Sequence, residues 1–431
     1  MRLTTYVDGM RVGWFEQTDS GAITLDYDQR WQNTSGRREL SWSLPKSRRH
    51  HRGDGPGNYL WNLLPDNDDV LQRWARRFGV SPRNPLALLA NVGLDAAGAV
   101  QLVSSDEWDE TELSGEGGMR QVDDAEIAGH LRELQRDPSA WVDPAYDGGY
   151  FSLAGAQAKF TLARTSRGWA VPLGRTPSTH IVKPGIIGLA RSALNEHLTM
   201  RAARDLGLRV AGSDVVRFDD QAAIVVERFD RVRTADGVMV RRHQEDFAQA
   251  SGTHPSRKYQ SDGGPGIASV GTLLRQHLGK TADDEVARFF EATLFNWAAL
   301  GTDAHAKNHA LMYPRAPLGR PTLAPLYDVG SALAYPEINN RRARLAMSYA
   351  GHYRTFEIEP RHIVREGVGV GLPEEWVLDR ARHIVGGLTD ALRRAVADAA
   401  LVGDDAVFAA TLVERAHERT GMLGRQLAGR L

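Results

Sequence analysis

Three oxygen-bearing side chains in this 431-residue chain have types and spacing that suit chemistry. In GTDAHAKNHALMY (301–313), behind the apolar run RFFEATLFNWAAL, Asp303 and Asn308 stand five residues apart, and the next stretch ends in YDVG with Asp328. Carboxylate and amide oxygens suit a hard cation such as Mg²⁺, which takes one or two protein ligands and completes its shell with phosphate oxygens. An acid that accepts a hydroxyl proton, an Asn five residues on and an Asp beyond the next strand also form the arrangement of phosphoryl-transfer sites. The spacing therefore points to Asp303 as a base and to Asn308 and Asp328 as metal ligands. Asp303, His305 and His309 form an alternative set for a transition metal. The two histidines straddle an expected loop-to-strand change, however, and His309 reads as structural.

Lysine usage supports a phosphate site. Only six of 53 basic residues are lysine, and Lys159, Lys183 and Lys307 fall in three windows, SLAGAQAK, HIVKPG and GTDAHAKN, that total 22 residues. A lysine kept amid arginine suggests a place for a compact ammonium rather than a planar fork. Lys183 interrupts an apolar strand and must reach its end or face a buried anion, with Glu196 as candidate partner. Ala154, Gly155 and Ala156 make a small-residue turn that lets backbone N–H groups approach a phosphate; a plain hairpin is the simpler alternative for this stretch alone.

The elements that must carry these groups follow from periodicity. Residues 1–30 alternate as an antiparallel meander, with Asp8-Gly9 and Ser20-Gly21 as turns. Helical spacing covers GNYLWNLLPDND to NPLALLANVG, and 98–103 reads as a strand. An acidic, glycine-interrupted stretch to about Gly149 carries one helix, EIAGHLRELQRD. FSLAGAQAKFTLA, WAVPLGR and THIVKPG then read as strands, RSALNEHLTMRAARDLG as a helix, and SDVVRFDD and AAIVVERFDRV as a strand pair. Beyond Glu245 the chain is expected to be helical apart from a hairpin, HALMY with TLAPLYDVG.

Composition bounds the function. Zero cysteines exclude disulfides and thiolate metal sites. No apolar run reaches the roughly 18 to 20 residues that span a bilayer, so a cytoplasmic protein with no membrane partner is expected. The formal net charge of -1 argues against a chain-wide grip on nucleic acid, although the loop SLPKSRRHHRGDGPG, with Lys46 and Arg48 to Arg52, offers a local basic patch.

An ordered set of segments resembles the HipA-type serine/threonine kinases, the toxin halves of bacterial toxin–antitoxin pairs: NLLPDN, GLDAAGAVQLV, SLAGAQAK, HIVKPG, NEHLTM, VVERFDR, QEDFAQ, KYQSDGGPGI, TDAHAKN and LAPLYDVGSA. The resemblance implies an α+β, two-lobed protein-kinase-like fold with an additional N-terminal α/β subdomain (1–105) and a connecting segment (106–149). A kinase N-lobe core (150–240) and a mainly helical C-lobe (241–431) would follow. It casts Asp303 as general base, Asn308 and Asp328 as magnesium ligands, and Ala154, Gly155, Ala156, Gln157, Ala158 and Lys159 as the phosphate loop. ATP would also meet Lys183, a hinge of Glu227, Arg228 and Phe229, and His305, Ala306, Lys307, Asn308, Tyr327 and Asp328. Ser152 matches a serine that is autophosphorylated in the family as an off switch. Implied partners are a HipB-like helix-turn-helix antitoxin, operator DNA mainly through that antitoxin, and a protein substrate such as the glutamyl aminoacyl-tRNA synthetase, whose phosphorylation arrests growth. A non-catalytic kinase-like protein that acts by docking an antitoxin is the alternative. Two positions depart from the family: Ala158 replaces a common acid, and Ala304 a glycine. If residue 304 needs a positive φ, alanine there costs roughly 1 kcal/mol.

Overall fold

The structure is a computed structural model that describes residues 1–34, 39–104, 117–142, 149–315, 319–335, 337–338 and 342–429. Two parts of the expected connecting segment, 106–116 and 143–148, lie outside the described residues. The chain divides into two compact units, residues Met1–Pro184, Val216–Ser256 and Ala310–Ala324 in the first and Gly185–Val215, Arg257–His309 and Pro325–Leu431 in the second.

The first unit begins with the expected meander. Strands β1 (Arg2–Val7), β2 (Met10–Gln17), β3 (Ile23–Tyr27), β4 (His50–His51) and β5 (Val100–Ser104) form a sheet in the order β4-β3-β2-β1-β5. Asp8 and Gly9, both at positive φ, make the two-residue turn that sets Val7 opposite Met10. Helices Asp54–Trp61, Asp68–Phe78 and Pro85–Val92 follow. Asn67 and Asn84 cap the last two by accepting from backbone N–H groups of their first turns. Leu3, Phe15, Tyr59, Leu88 and Leu102 pack into the core of this unit.

A second sheet runs β10 (Ser213–Phe218), β11 (Gln221–Glu227), β9 (His180–Pro184), β7 (Phe160–Thr165), β8 (Gly168–Pro172) and β6 (Met119–Val122), with the unit boundary inside β10. The helix of the connecting stretch, Asp124–Arg136, starts with a reciprocal capping box between Asp123 and Glu126. One expectation fails here: residues 151–159 do not form a strand. Their only pairing is a single bridge from Ser152 to Ala96, after which Gly155 at φ +105 turns the chain and β7 begins at Phe160.

The same unit buries an acid. After a short pair, β12 (Arg231–Arg233) with β13 (Met239–Arg241), strand β14 (Gln244–Asp246) pairs with β15 (Ala310–Met312), which pairs with β16 (Thr322–Leu323), the expected hairpin. Glu245 on β14 is fully buried and accepts from the Trp42 N–H at 2.9 Å and from the Tyr313 hydroxyl. Burial lifts its carboxyl to about 7 in spite of those bonds.

In the second unit, helices Ser192–Asp205, Ile267–Leu278, Ala282–Ala299, Pro360–Gly369, Glu374–Asp398 and Gly403–Ala428 pack together. An unexpected hairpin interrupts them, β17 (Arg344–Tyr349) with β18 (His352–Arg354), turned by Ala350 and Gly351 at positive φ. Alanine at the first turn position hides it from a search for Asn-Gly or Asp-Gly. Among the described residues no helix is long and apolar enough to cross a membrane.

A carboxyl whose folded value lies above its unfolded one stabilises fully at pH below the unfolded value and loses that contribution as pH rises through the folded one. Glu245 should therefore cost on the order of 3 kcal/mol between about pH 4.5 and 7. The buried imidazoles of His243 and His309, depressed to about 4 by burial, act in the opposite sense as pH falls. Thermal melts of wild type and Glu245→Gln across pH 5 to 8 isolate the acid: the variant's melting temperature should rise relative to wild type as pH increases.

Candidate active site

The loop that carries Asp303 is made by the way a helix stops. The Ala282–Ala299 helix ends with Leu300 in the left-handed region at φ 56, and the Gly301 N–H returns to the Asn296 carbonyl at 2.7 Å. A Cβ on Gly301 would lie 2.2 Å from Asn296 Oδ1, so a larger residue would have to displace the buried Asn296 side chain. Arg419, on the Gly403–Ala428 helix, donates to the Ala298 and Trp297 carbonyls at 2.9 and 2.6 Å. It places a cation where the helix dipole is negative, and burial lowers its guanidinium to about 10. Ser331 Oγ and the Ala332 N–H take the next two carbonyls, Ala299 and Leu300, at 2.6 and 3.0 Å.

Beyond that end the loop closes on itself. Asp303 is exposed, and its carbonyl accepts from the His305 N–H at 2.8 Å and from Asn308 Nδ2 at 2.7 Å. The Asn308 amide nitrogen is thus committed to the loop, which leaves its oxygen as the atom for a metal. The five-residue spacing is the length of this closure. Tyr327 donates its hydroxyl to the Lys307 carbonyl at 2.7 Å and so ties the YDVG segment to the loop; the preceding Leu326 is anchored by bonds to Arg209 and Ala211. Asp328 follows in the left-handed region at φ 59, a conformation that aspartate tolerates better than most residues and that recurs at functional positions.

Asn308 and Asp328 offer an amide oxygen and a carboxylate, which fits Mg²⁺ with phosphate oxygens completing its shell. Among the described residues no group of three or more His, Asp or Glu is placed to hold a metal ion. The alternative set of Asp303, His305 and His309 therefore finds no support. His309 is buried with its ring edge-on to Phe289 at 5.1 Å, and His305 and Ala306 are buried too. Ala304 is not among the residues at positive φ, so the anticipated strain of roughly 1 kcal/mol is absent.

The first unit holds the other expected residues. Ser152 is fully buried, donating its hydroxyl to the Leu63 carbonyl at 2.8 Å. In the loop that follows, the Gly155 carbonyl accepts from the Asp66 N–H at 3.0 Å, the Ala156 carbonyl from Asn67 at 3.4 Å, and Gln157 donates to the Pro184 carbonyl at 3.2 Å. Lys159 caps the Ala154 carbonyl at 3.1 Å and lies 4.3 Å from the Trp141 ring centre; Ala158 is half-buried. Lys183 is buried on β9 opposite Ile224 of β11, whereas its expected partner Glu196 belongs to the second unit.

At the expected hinge, Glu227 is exposed and Phe229 half-buried, but the Arg228 side chain turns inward. It joins a buried network in which Asp95 and Asp230 each pair with both Arg228 and Arg231 at 2.9 to 3.3 Å, while Arg241 reaches Asp95 at 3.5 Å. Burial alone would raise the Asp95 carboxyl; the Arg228, Arg231 and Arg241 guanidiniums hold it below its usual value instead. Ser178 and the Gly98 N–H complete the acids' hydrogen bonding, at 2.6 and 2.7 Å. Sequence reasoning missed Asp95, Arg231, Arg241 and Arg419, because each pairs with residues distant in the chain. It also gave no role to Tyr259, which donates its hydroxyl to Asp303 Oδ1.

Comparison with known proteins gives the family. The HipA N-terminal domain model matches residues 3–103, and the HipA-like C-terminal domain model matches residues 151–394. The chain is 36% identical over 408 residues to the putative kinase Y4mE of Sinorhizobium fredii, covering 92% of each. It is 29% identical over 425 residues to the serine/threonine-protein kinase toxin HipA of Shewanella oneidensis, covering 94% of this chain and 90% of that protein. Among solved structures it matches HipA from the Shewanella oneidensis MR-1 complex of HipA, HipB and operator DNA, with a TM-score of 0.83, 25% identity and coverage of 99% and 98%. The fold and these matches together define an α+β phosphotransferase of the protein-kinase-like class. The chain belongs to the HipA family of toxin–antitoxin serine/threonine kinases.

Arg419→Met keeps the side-chain bulk but removes both donors from the helix end. It should lower the unfolding free energy by roughly 2 kcal/mol in urea titration, and phosphoryl transfer should fall along with it.

Proposed function

We propose that this chain is an ATP- and Mg²⁺-dependent protein kinase that acts as a growth-arresting toxin. The observation that carries the reading is the closed loop in which Asn308 Nδ2 holds the Asp303 carbonyl while Tyr327 holds that of Lys307. A base and a metal ligand are thereby fixed on one rigid turn, and phosphoryl transfer depends chiefly on positioning and charge neutralisation. Asp303 accepts the proton of an incoming serine or threonine hydroxyl. Lys183 and the 154–159 loop bind ATP phosphates, residues 227–229 border the adenine, and His305 to Asn308 with Tyr327 line the rest of the nucleotide. Asn308 and Asp328 hold Mg²⁺, which when bound neutralises phosphate charge.

By family, the substrate is an aminoacyl-tRNA synthetase such as the glutamyl enzyme, and the regulator is a HipB-like antitoxin bound to operator DNA. The near-zero net charge of this chain leaves most phosphate contacts to that partner, with Arg48 to Arg52 as a minor addition. Asp303→Ala should abolish transfer from labelled ATP while nucleotide binding stays near wild type. Transfer that survives in the variant, or is absent from wild type at every magnesium concentration, would favour the non-catalytic docking role.

Ser152 is the proposed off switch. Its buried hydroxyl is committed to Leu63, so phosphorylation requires the 151–159 segment to leave its seat. A phosphate carrying about -1.5 to -2 charges cannot return to that dry position. Mass spectrometry of wild type after incubation with ATP should find phosphate on Ser152, and Ser152→Ala should stay active for longer. Unmodified Ser152 would sink the switch.

A further inference from the structure

The β17–β18 hairpin has no part in the mechanism above, yet it gathers positive charge in a chain whose net charge is close to zero. Arg342, Arg344, Arg354 and Phe356 line a groove of about 510 Å³ on the second unit. All three arginines are exposed, and Phe356, 54% exposed, is the one exposed aromatic ring among the described residues. The hairpin register sets Arg344 directly opposite Arg354, a cross-strand pairing of like charges that costs stability. Arg344 lies against the Tyr353 ring at 5.1 Å, and among the described residues the three guanidiniums meet one carboxylate, Glu357, 3.3 Å from Arg354. The hairpin is also tied to the loop that carries Asp303. The Ser348 N–H of β17 donates to Gln260 Oε1 at 2.7 Å, and in the same short segment the Lys258 carbonyl accepts from the Ala306 N–H at 3.3 Å.

We propose that this groove docks an acidic segment of the protein substrate, apart from the serine or threonine that receives the phosphoryl group. The inference rests on the reading of this chain as a protein kinase. Carboxylates placed between Arg344 and Arg354 turn a repulsive pair into two planar forks, each able to hold a carboxylate through parallel N–H bonds. An apolar side chain of the same segment covers Phe356, as aromatic rings are covered at the centre of protein interfaces. A nucleic-acid strand fits less well: it calls for cations along successive phosphates and several rings for its bases. The net charge of -1 supplies no wider field to hold such a polyanion. One short groove with one ring suits a few side chains instead. Because the hairpin and the Asp303 loop are both bonded to the segment from Lys258 to Gln260, a substrate seated in the groove is held on the same unit as the base.

The test is fluorescence anisotropy of the full chain, without ATP, against a labelled glutamate-rich peptide carrying one serine, its glutamine counterpart, and a single-stranded RNA of equal charge. The glutamate peptide should bind, more weakly as salt rises, and the glutamine peptide should not. Arg344→Gln combined with Arg354→Gln should weaken binding roughly tenfold or more, and Phe356→Ala should weaken it less. Arg393→Gln combined with Arg415→Gln removes the same charge from exposed positions elsewhere on the unit and should leave binding unchanged. With labelled ATP the groove variant should raise KM for the glutamate peptide and leave kcat alone. Relieved of its like-charge pair, that variant should melt no lower than wild type. Equal binding of the two peptides, equal losses in the two double variants, or an unchanged KM would overturn the proposal. So would a variant that melts far below wild type, which would make the pair structural, or RNA bound more tightly through the same arginines. Failure of the underlying reading is separable: the arginine dependence of binding would stand while wild type transferred no label at any magnesium concentration.

Discussion

The loop that carries Asp303 depends on how one helix ends. The last carbonyls of the Ala282–Ala299 helix would otherwise lie unsatisfied in a buried place, a cost of one to several kcal/mol each. Arg419, Ser331 and Ala332 take them up, and each comes from a segment remote in the chain. The result couples the extreme C-terminal helix, the segment after Asp328 and the Asp303 loop through one set of backbone acceptors. Leu300 adopts its left-handed conformation because these neighbours over-determine it. Loop geometry is consequently a property of the whole second unit rather than of its few residues.

The first unit treats its loop differently. Gly155 and Ala156 are held through their carbonyls by Asp66 and Asn67, and Ser152 through its hydroxyl by Leu63. These are single hydrogen bonds, each with a modest net contribution of about 1 kcal/mol. A seat made of such bonds is reversible. The buried ion network is different in kind: Asp95 and Asp230 set two carboxylates against the three guanidiniums of Arg228, Arg231 and Arg241, and removing either acid strands buried cations.

The Asp303 loop was legible because its geometry is local. The interval from Asp303 to Asn308 encodes a closed turn, and that interval is visible in a string of letters. The φ of Ala304 was not, since the sign of a dihedral depends on contacts the string omits; nor was the β17–β18 hairpin, whose turn uses alanine. Arg228 shows the deeper limit. The family resemblance gave it a hinge role with Glu227 and Phe229, but the direction of its side chain is decided by Asp95, 133 residues away in the chain. Tyr259 lies in a segment that only the family resemblance singled out, and its bond to Asp303, 44 residues on, is set by packing that the string does not show.

The buried network also bears on how the chain is divided. Sequence profiles treat residues 3–103 and 151–394 as two modules, as though the first could be gained or lost independently. Asp95 lies in the first and Arg228, Arg231 and Arg241 in the second, with side chains almost wholly sealed from solvent. A kinase inherited without its amino-terminal companion would carry three arginines facing an empty interior with only Asp230 between them. In this chain the two matched segments therefore close one buried ion network between them, and neither completes it alone.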